Sequence, residues 1–229
     1  MDILMELDRV GAVYLDRHFV YKSGKHGSGY VNMDPLFPNT PLIKEVATHL
    51  VEPFTGTANP LTIAAPAIGA IVLATHCSSA IAWQPDPQNP RARRYDPARL
   101  YPCVWADKQG DDFVFERAGF VGHLKGKEVL VVEDLLTTGG SVAKVCRAAE
   151  GHGAIIVGVS VVCNRGGVTA KDLGVPRLEA LATVNFDAIA AEVCPLCADN
   201  VPIVEDIGHS EQYKLEHPDY PGGYVRLNA

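Results

Sequence analysis

An α/β fold with a central, mainly parallel sheet flanked by helices is what this sequence predicts, on three observations. The first is a set of short, uninterrupted apolar runs: "LTIAA" at 61–65, "KEVLVVED" at 127–134 and "AIIVGVSVVCN" at 154–164. Such runs lack the alternation of a strand wetted on one face and suit strands buried on both faces. The second is that helical stretches separate them, the βα alternation that builds a covered parallel sheet. The third is length: 229 residues with no sustained polar or low-complexity tract can bury a substantial core as one α/β domain with embellishments.

Taken in order, Ile3, Leu4, Leu7, Val10 and Gly11 mark a helical face, and "HFVYK" and "GYVNM" read as two short strands joined by the glycine-rich "SGKHGSG". An N-terminal helix and hairpin should therefore precede the sheet. "PLIKEVATHLVEPF" has helical character, "LTIAA" is a buried strand, and "GAIVLATHC" returns as a helix. The stretch "QPDPQNPRARRYDPAR" (84–99) carries four prolines and four arginines, a composition expected to sustain neither helix nor strand, so it reads as a solvated excursion. "LYPCVWA" resumes as a strand, "KEVLVVED" is another, and residues 140–151 form a helix with Val142, Val145, Cys146 and Ala149 on one face. "AIIVGVSVVCN" is again a buried strand, and mostly coil is expected from about residue 198.

Twenty basic against 27 acidic residues give a net charge of −7. That argues against a non-specific nucleic-acid binder while leaving room for a small anionic substrate in a local pocket. The first residues carry acids throughout and no continuous apolar core, so neither a signal peptide nor a membrane span is expected, and the compartment reads as cytoplasmic. Six cysteines are too few for a disulfide scaffold in a chain of this length. Only Cys194 and Cys197, in "CPLC", are spaced like metal ligands, with His209 or Cys163 as conceivable partners; reduced cysteines packing a C-terminal turn is the preferred reading. His26 lies in a glycine-rich hairpin tip, where it would help bind a ligand or remain unligated.

The stretch "VLVVEDLLTTGGS" (129–141) carries the chemistry. A buried strand ends in Glu133 and Asp134, and a loop of small and hydroxylated residues leads into a helix, the place where open α/β sheets bind ligands. Amide groups at the helix start, the Thr137, Thr138 and Ser141 hydroxyls, and glycines that permit close approach make a phosphate cradle. The acids cannot share that phosphate, but they suit sugar hydroxyls or a divalent metal beside them. Neither a nucleotide P-loop nor a dinucleotide fingerprint is present. A plain strand-to-helix turn with solvated acids explains neither the paired carboxylates nor the run of small residues.

These thirteen residues resemble the 5-phosphoribosyl 1-diphosphate (PRPP) signature of type I phosphoribosyltransferases. The resemblance implies that Glu133 and Asp134 hold the ribose, while Thr137, Thr138, Gly139, Gly140 and Ser141 hold the 5-phosphate. "HFVYKSGKHGSGYVN" (18–32) resembles the base-binding segment of the orotate phosphoribosyltransferases, with Lys22 and Asn32 at that family's spacing. By itself it would read as a surface hairpin with a solvated lysine. Arg165 in "VVCNRGG" matches the family arginine that pairs with the orotate carboxylate; its planar fork fits that group, and purines carry none. The family then implies orotate binding by Lys22, Tyr30, Val31, Thr137 and Arg165.

"APAIGAIVLA", "ADKQGDDFVFERAGF" and "CPLCADNVPI" extend the likeness, from about residue 7 to 205, to a bacterial branch of that family known from thermophiles. The implied architecture is one phosphoribosyltransferase domain over 1–205, with a hood over about 1–38, a core over about 39–205, and a tail over 206–229. Ala67, Ile68 and Gly69 would form the pyrophosphate turn, although small-residue packing alone also explains such a turn. Two departures thin its charge. Ile68 stands where better-known members carry a lysine, and "ADKQGDD" lacks the further lysines and histidine of their mobile loop. Lys108 and Arg117 are the candidates to compensate, with Lys108 and Asp134 as catalytic residues. Closure of 107–117 would exclude water, magnesium would bind through the substrate's pyrophosphate and ribose, and a homodimer is implied. Orotate brings its own anionic nitrogen, so no general base is required. The alternatives are a purine-base enzyme, which would not need Arg165 or Lys22, and a non-catalytic PRPP-sensing regulator of the same fold.

Overall fold

The computed structural model describes residues 2–55, 61–86, 89–95 and 101–227. The chain divides into two compact units: Met1–Leu36 with Asn185–Ala229, and Phe37–Val184.

The first unit opens with α1 (Ile3–Arg9), capped by the Asp2 carboxylate, which accepts from the Leu4 and Met5 amides. Four two-residue strands come next: β1 (Val13–Tyr14), β2 (Phe19–Val20), β3 (His26–Gly27) and β4 (Tyr30–Val31). β2 pairs with β3 and β1 with β4, both antiparallel. The expected pairing of "HFVYK" with "GYVNM" is therefore replaced. The Tyr21 amide donates to the Lys25 carbonyl at 2.8 Å and closes the turn early, which leaves Tyr30–Val31 to pair with the segment after α1.

The second unit holds the sheet. α2 (Thr40–Val51) starts at Asn39, whose side chain accepts from the Leu42 amide, and buries Leu42, Ile43, Val46, Ala47, Leu50 and Val51. β5 (Thr62–Pro66) is wholly buried and leads to α3 (Ile71–Ala82). The proline- and arginine-rich stretch, expected to lack regular structure, contains an antiparallel pair, β6 (Trp83–Asp86) and β7 (Asn89–Tyr95). A two-stranded ribbon consists only of edges, so proline can join where its missing N–H would face outward. Residues 87–88 and 96–99 of that stretch lie outside the described residues. β8 (Cys103–Gln109), β9 (Asp112–Val114), β10 (Glu128–Leu136), α4 (Gly140–Gly151), β11 (Ile155–Asn164), α5 (Ala170–Leu173) and β12 (Leu178–Thr183) complete the unit.

The six strands run in the order β12–β11–β10–β5–β8–β9, parallel except for the last pair. α4 covers one face, packing Val142, Val145, Cys146 and Ala149 into a core with Ala64, Val129, Val131, Val159 and Val161. α2 lies against the other face, where the Ser160 hydroxyl donates to the Leu50 carbonyl at 2.8 Å, and α3 packs beside it through the Cys77 thiol and the Ala47 carbonyl.

The last residues return to the first unit. α6 (Pro195–Ala198), β13 (Ile203–Val204), α7 (Ser210–Glu216) and β14 (Tyr224–Val225) occupy the region expected to be coil. The Val204 amide donates to the His18 carbonyl at 2.9 Å and the His209 amide to the Val20 carbonyl at 3.0 Å. Residues 206–227 are thus built into the hood, around Phe19, Tyr21 and Val204 with Tyr14, Tyr30, Ile207 and Leu227. No helix among the described residues is long and apolar enough to cross a membrane.

Candidate active site

The sheet has one place where neighbouring connections leave in opposite directions. From β5 the chain passes to β8 on one side; from β10 it passes to β11 on the other. The turns after β5 and β10 diverge there and open a crevice at the carboxyl ends of the strands. The turn after β5 is Ala67–Ile68–Gly69, its first amide donating to the Ala106 carbonyl at 2.8 Å, and the Ala67–Ile68 peptide is cis. A Cβ on Gly69 would sit 3.5 Å from Asp134 Oδ2, so the turn and Asp134 face each other at contact distance.

Glu133 and Asp134 follow the buried apolar run Val129–Val132 of β10 and differ in setting. Glu133 is 9% exposed, and burial first, then the adjacent Asp134 carboxylate, hold its pKa well above the ordinary carboxylate value. Asp134 is half-buried, with Oδ1 accepting from the Leu135 amide at 2.7 Å. Beyond them Thr137, Thr138, Gly140 and Ser141 are exposed, and residues 135–142 with Glu133 line a small cavity. Gly139 is left-handed at φ 76°, and a Cβ there would come within 2.6 Å of Leu173. No side chain caps α4, which leaves its first amides directed to the loop as anion donors.

Sequence reading missed how β11 locks this loop. The Arg165 amide donates to the Leu136 carbonyl at 2.8 Å, and the Gly166 amide shares that carbonyl at 3.3 Å. A Cβ on Gly166 would lie 1.6 Å from the Thr137 carbonyl oxygen, so only glycine fits. The glycine pair after Arg165 was the available signal. Half-buried Arg165 thereby sits beside the phosphate-type loop.

The other candidates lie on the β8–β9 hairpin and in the first unit. Of residues 107–117, expected as a mobile loop, 107–114 form that hairpin, with Lys108 opposite Phe113. Phe113 and Phe115 are buried in the core, and this anchoring explains the regular structure. Lys108 is exposed, two residues beyond Ala106 and thus past the end of β5. Arg117 lies 5.0 Å over the Trp105 ring and donates to Asp107 twice, at 2.7 and 2.9 Å, so its charge is already matched. In the first unit Lys22 is exposed, Val31 is buried, and Tyr30 and Asn32 line a cavity of about 210 Å³ with Tyr14. His26 is fully buried rather than at an open hairpin tip. Cys194 and Cys197 meet His18 and His26; neither His209 nor Cys163 joins them.

The family model described as "Phosphoribosyl transferase domain" matches residues 34–179, more than half of the chain. That match, the switch-point crevice and the acid-loop arrangement define the chain as a phosphoribosyltransferase of type I fold. The orotate phosphoribosyltransferase of Thermus thermophilus is 32% identical over 205 residues, covering 90% of this chain and 100% of its own length. That of Thermotoga maritima is 32% identical over 196 residues, covering 86% and 92%. The chain belongs to the orotate phosphoribosyltransferase family. Among solved structures, the Mycobacterium tuberculosis H37Rv orotate phosphoribosyltransferase in complex with PRPP aligns with TM-score 0.56 at 20% identity, covering 80% of this chain and 97% of that one. The adenine phosphoribosyltransferase of Rhodothermus marinus aligns with TM-score 0.54 at 15% identity, covering 80% and 98%. The backbone therefore carries the fold, and the choice of base must lie in side chains.

Proposed function

We propose that this chain transfers the 5-phosphoribosyl group of PRPP to orotate, giving orotidine 5-phosphate and pyrophosphate in pyrimidine synthesis. The observation that carries the reading is Arg165, held to the start of the phosphate-type loop by the 2.8 Å bond from its amide to Leu136. A guanidinium at this position suits a carboxylate on the acceptor and has no counterpart on a purine.

In this reading the amides and hydroxyls of 137–141 hold the 5-phosphate, and Glu133 and Asp134 engage the ribose hydroxyls. The amides of 67–69 face the pyrophosphate, while Lys22, Tyr30, Val31, Thr137 and Arg165 contact orotate. The base nitrogen bonds to ribose C1 as the bond to pyrophosphate breaks, so positive charge grows on the sugar and negative charge on the leaving group. Lys108 offsets the latter, and orotate's anionic nitrogen needs no general base. The pyrophosphate and ribose oxygens of PRPP would hold magnesium, which would supply positive charge against the leaving group. The half-buried Asp134 fits the role of its protein neighbour better than Glu133, whose burial favours the neutral form. A cytoplasmic homodimer completes the proposal, and a monomeric mass by light scattering with full activity would remove the dimer.

The test is pyrophosphate release from PRPP and magnesium with orotate, uracil, adenine or hypoxanthine as acceptor. Release with orotate alone is expected; release with a purine and not orotate overturns the proposal. A second reading, a PRPP-binding regulator, is favoured by the thin positive charge: Ile68 is 83% exposed where a lysine would serve, and Arg117 is paired with Asp107. Tight PRPP binding with no release for any base would select it.

A further inference from the structure

Within the first unit, four side chains from opposite ends of the chain converge on one point. The nearest ring nitrogens of His18 and His26 and the sulfurs of Cys194 and Cys197 all lie within 4.8 Å of one another. His18 Nε2 is 2.8 Å from His26 Nδ1, 3.8 Å from Cys194 Sγ and 3.7 Å from Cys197 Sγ, and Cys197 Sγ is 3.2 Å from His26 Nδ1. A zinc ion with Zn–N of about 2.0–2.1 Å and Zn–S of about 2.3 Å sits in a tetrahedron with edges of roughly 3.3–3.8 Å. The two sulfur–His18 distances fall in that range, the two contacts of His26 Nδ1 would open by roughly 0.5 Å or less, and the remaining two of the six pairs lie within 4.8 Å.

We propose that His18, His26, Cys194 and Cys197 bind one zinc ion in a closed structural site. The hydrogen bonding supports this. His18 Nδ1 lies 2.9 Å from the Val201 carbonyl and must donate to it, so His18 Nε2 presents a lone pair to the cluster. A ligating histidine whose other nitrogen donates to a backbone carbonyl is the usual outer arrangement of a metal site. With His18 Nε2 as an acceptor, His26 Nδ1–H would be its donor in a metal-free cluster. That leaves His26 Nε2 as a buried lone pair, and it has no hydrogen-bond partner among the described residues. Ligation through Nδ1, the His26 nitrogen that faces the cluster, replaces that internal hydrogen bond and places the ring proton on Nε2.

The backbone is arranged to present these ligands. Val20 pairs with His26 across the β2–β3 turn, and the His26 amide donates to the Ile189 carbonyl at 2.7 Å. The CPLC segment folds as the start of α6, with the Ala198 amide on the Cys194 carbonyl at 3.1 Å. Two thiolates and two imidazoles in a tetrahedral setting select zinc over magnesium or calcium, and four protein ligands leave no position for substrate. The unit's strands have two residues each, so little ladder ties the two chain ends together, and a metal clip supplies what so small a module lacks.

The experiment is elemental analysis of protein purified under reducing conditions without chelator. One zinc per chain is expected, lost in Cys194→Ser/Cys197→Ser and kept in the control Cys103→Ser. Because the double variant can fail to fold, cobalt(II) is also titrated into zinc-stripped wild-type protein. Saturation at one equivalent, with tetrahedral ligand-field bands, thiolate charge transfer and displacement by zinc, is the expected result. Zinc-free protein that yields no such cobalt spectrum overturns the proposal, as does full zinc occupancy in the double variant.

Discussion

At the scale of single residues, the two acids at the end of β10 do different work. Glu133 is buried and its folded-state pKa is raised by burial and by Asp134. The folded protein therefore binds that proton more tightly than the unfolded chain. The resulting stability is present below the ordinary carboxylate range and is lost as pH rises through the raised value. Glu133→Gln should accordingly raise the melting temperature at about pH 8, with the gain shrinking toward about pH 4.5; equal shifts at both values would contradict the burial argument. Arg165 is the residue on which the acceptor rests. Arg165→Ala should cost roughly 2–5 kcal/mol in orotate recognition, as for losing one partner of a buried ion pair, while PRPP affinity barely changes. Uracil lacks the carboxylate, so the variant should lose most of the wild type's preference for orotate. A ratio of catalytic efficiencies for the two bases that survives the substitution would remove Arg165 from specificity.

At the scale of elements, α4 was legible to its ends because Val142, Val145, Cys146 and Ala149 keep helical spacing and Gly139–Gly140 mark its start. β10 and β11 were legible as unbroken apolar runs, and with them the acid pair and the phosphate-type loop. The contact between elements was not. Nothing local in "NRGG" says that Gly166 presses on the Thr137 carbonyl, since that depends on how β11 registers against β10. Gly166→Ala should therefore push the loop out of place. We expect PRPP affinity to fall at least about tenfold, or about 1.4 kcal/mol, with stability reduced by about 1–3 kcal/mol as for overpacking. Calorimetric titration with PRPP and a thermal melt measure the two, and wild-type PRPP affinity would show that the loop tolerates the displacement. The β8–β9 hairpin was hidden for a similar reason: "DKQGDD" is polar, but Phe113 and Phe115, directly after it, are buried in the core and tether the hairpin there. With that anchoring, any closure must come from the tip around Gly110 rather than from all of 107–117.

At the scale of the molecule, the chain's two ends make one unit and its middle makes the other. This division was the least legible feature, because two-residue strands have no period and the bond from Val204 to His18 spans most of the sequence. The same distance hid the His–Cys cluster: "CPLC" was visible as half a site, while His18 and His26 read as part of a hairpin. The division assigns separate consequences to the metal. Lys22, Tyr30 and Val31, proposed for orotate, belong to the unit that contains the cluster; Thr137 and Arg165, also proposed for orotate, belong to the other, with Glu133, Asp134 and 137–141, proposed for PRPP. Stripping zinc with a chelator should loosen the segment between His18 and His26 that bears Lys22, and leave β10, α4 and their loop intact. We therefore expect orotate affinity to fall at least about tenfold, or about 1.4 kcal/mol, while the dissociation constant for PRPP stays within about twofold, or about 0.4 kcal/mol. Adding zinc back should restore orotate binding. Parallel loss of both affinities would mean that the two units unfold as one, and unchanged binding of both would mean that the base segment holds its shape without the metal.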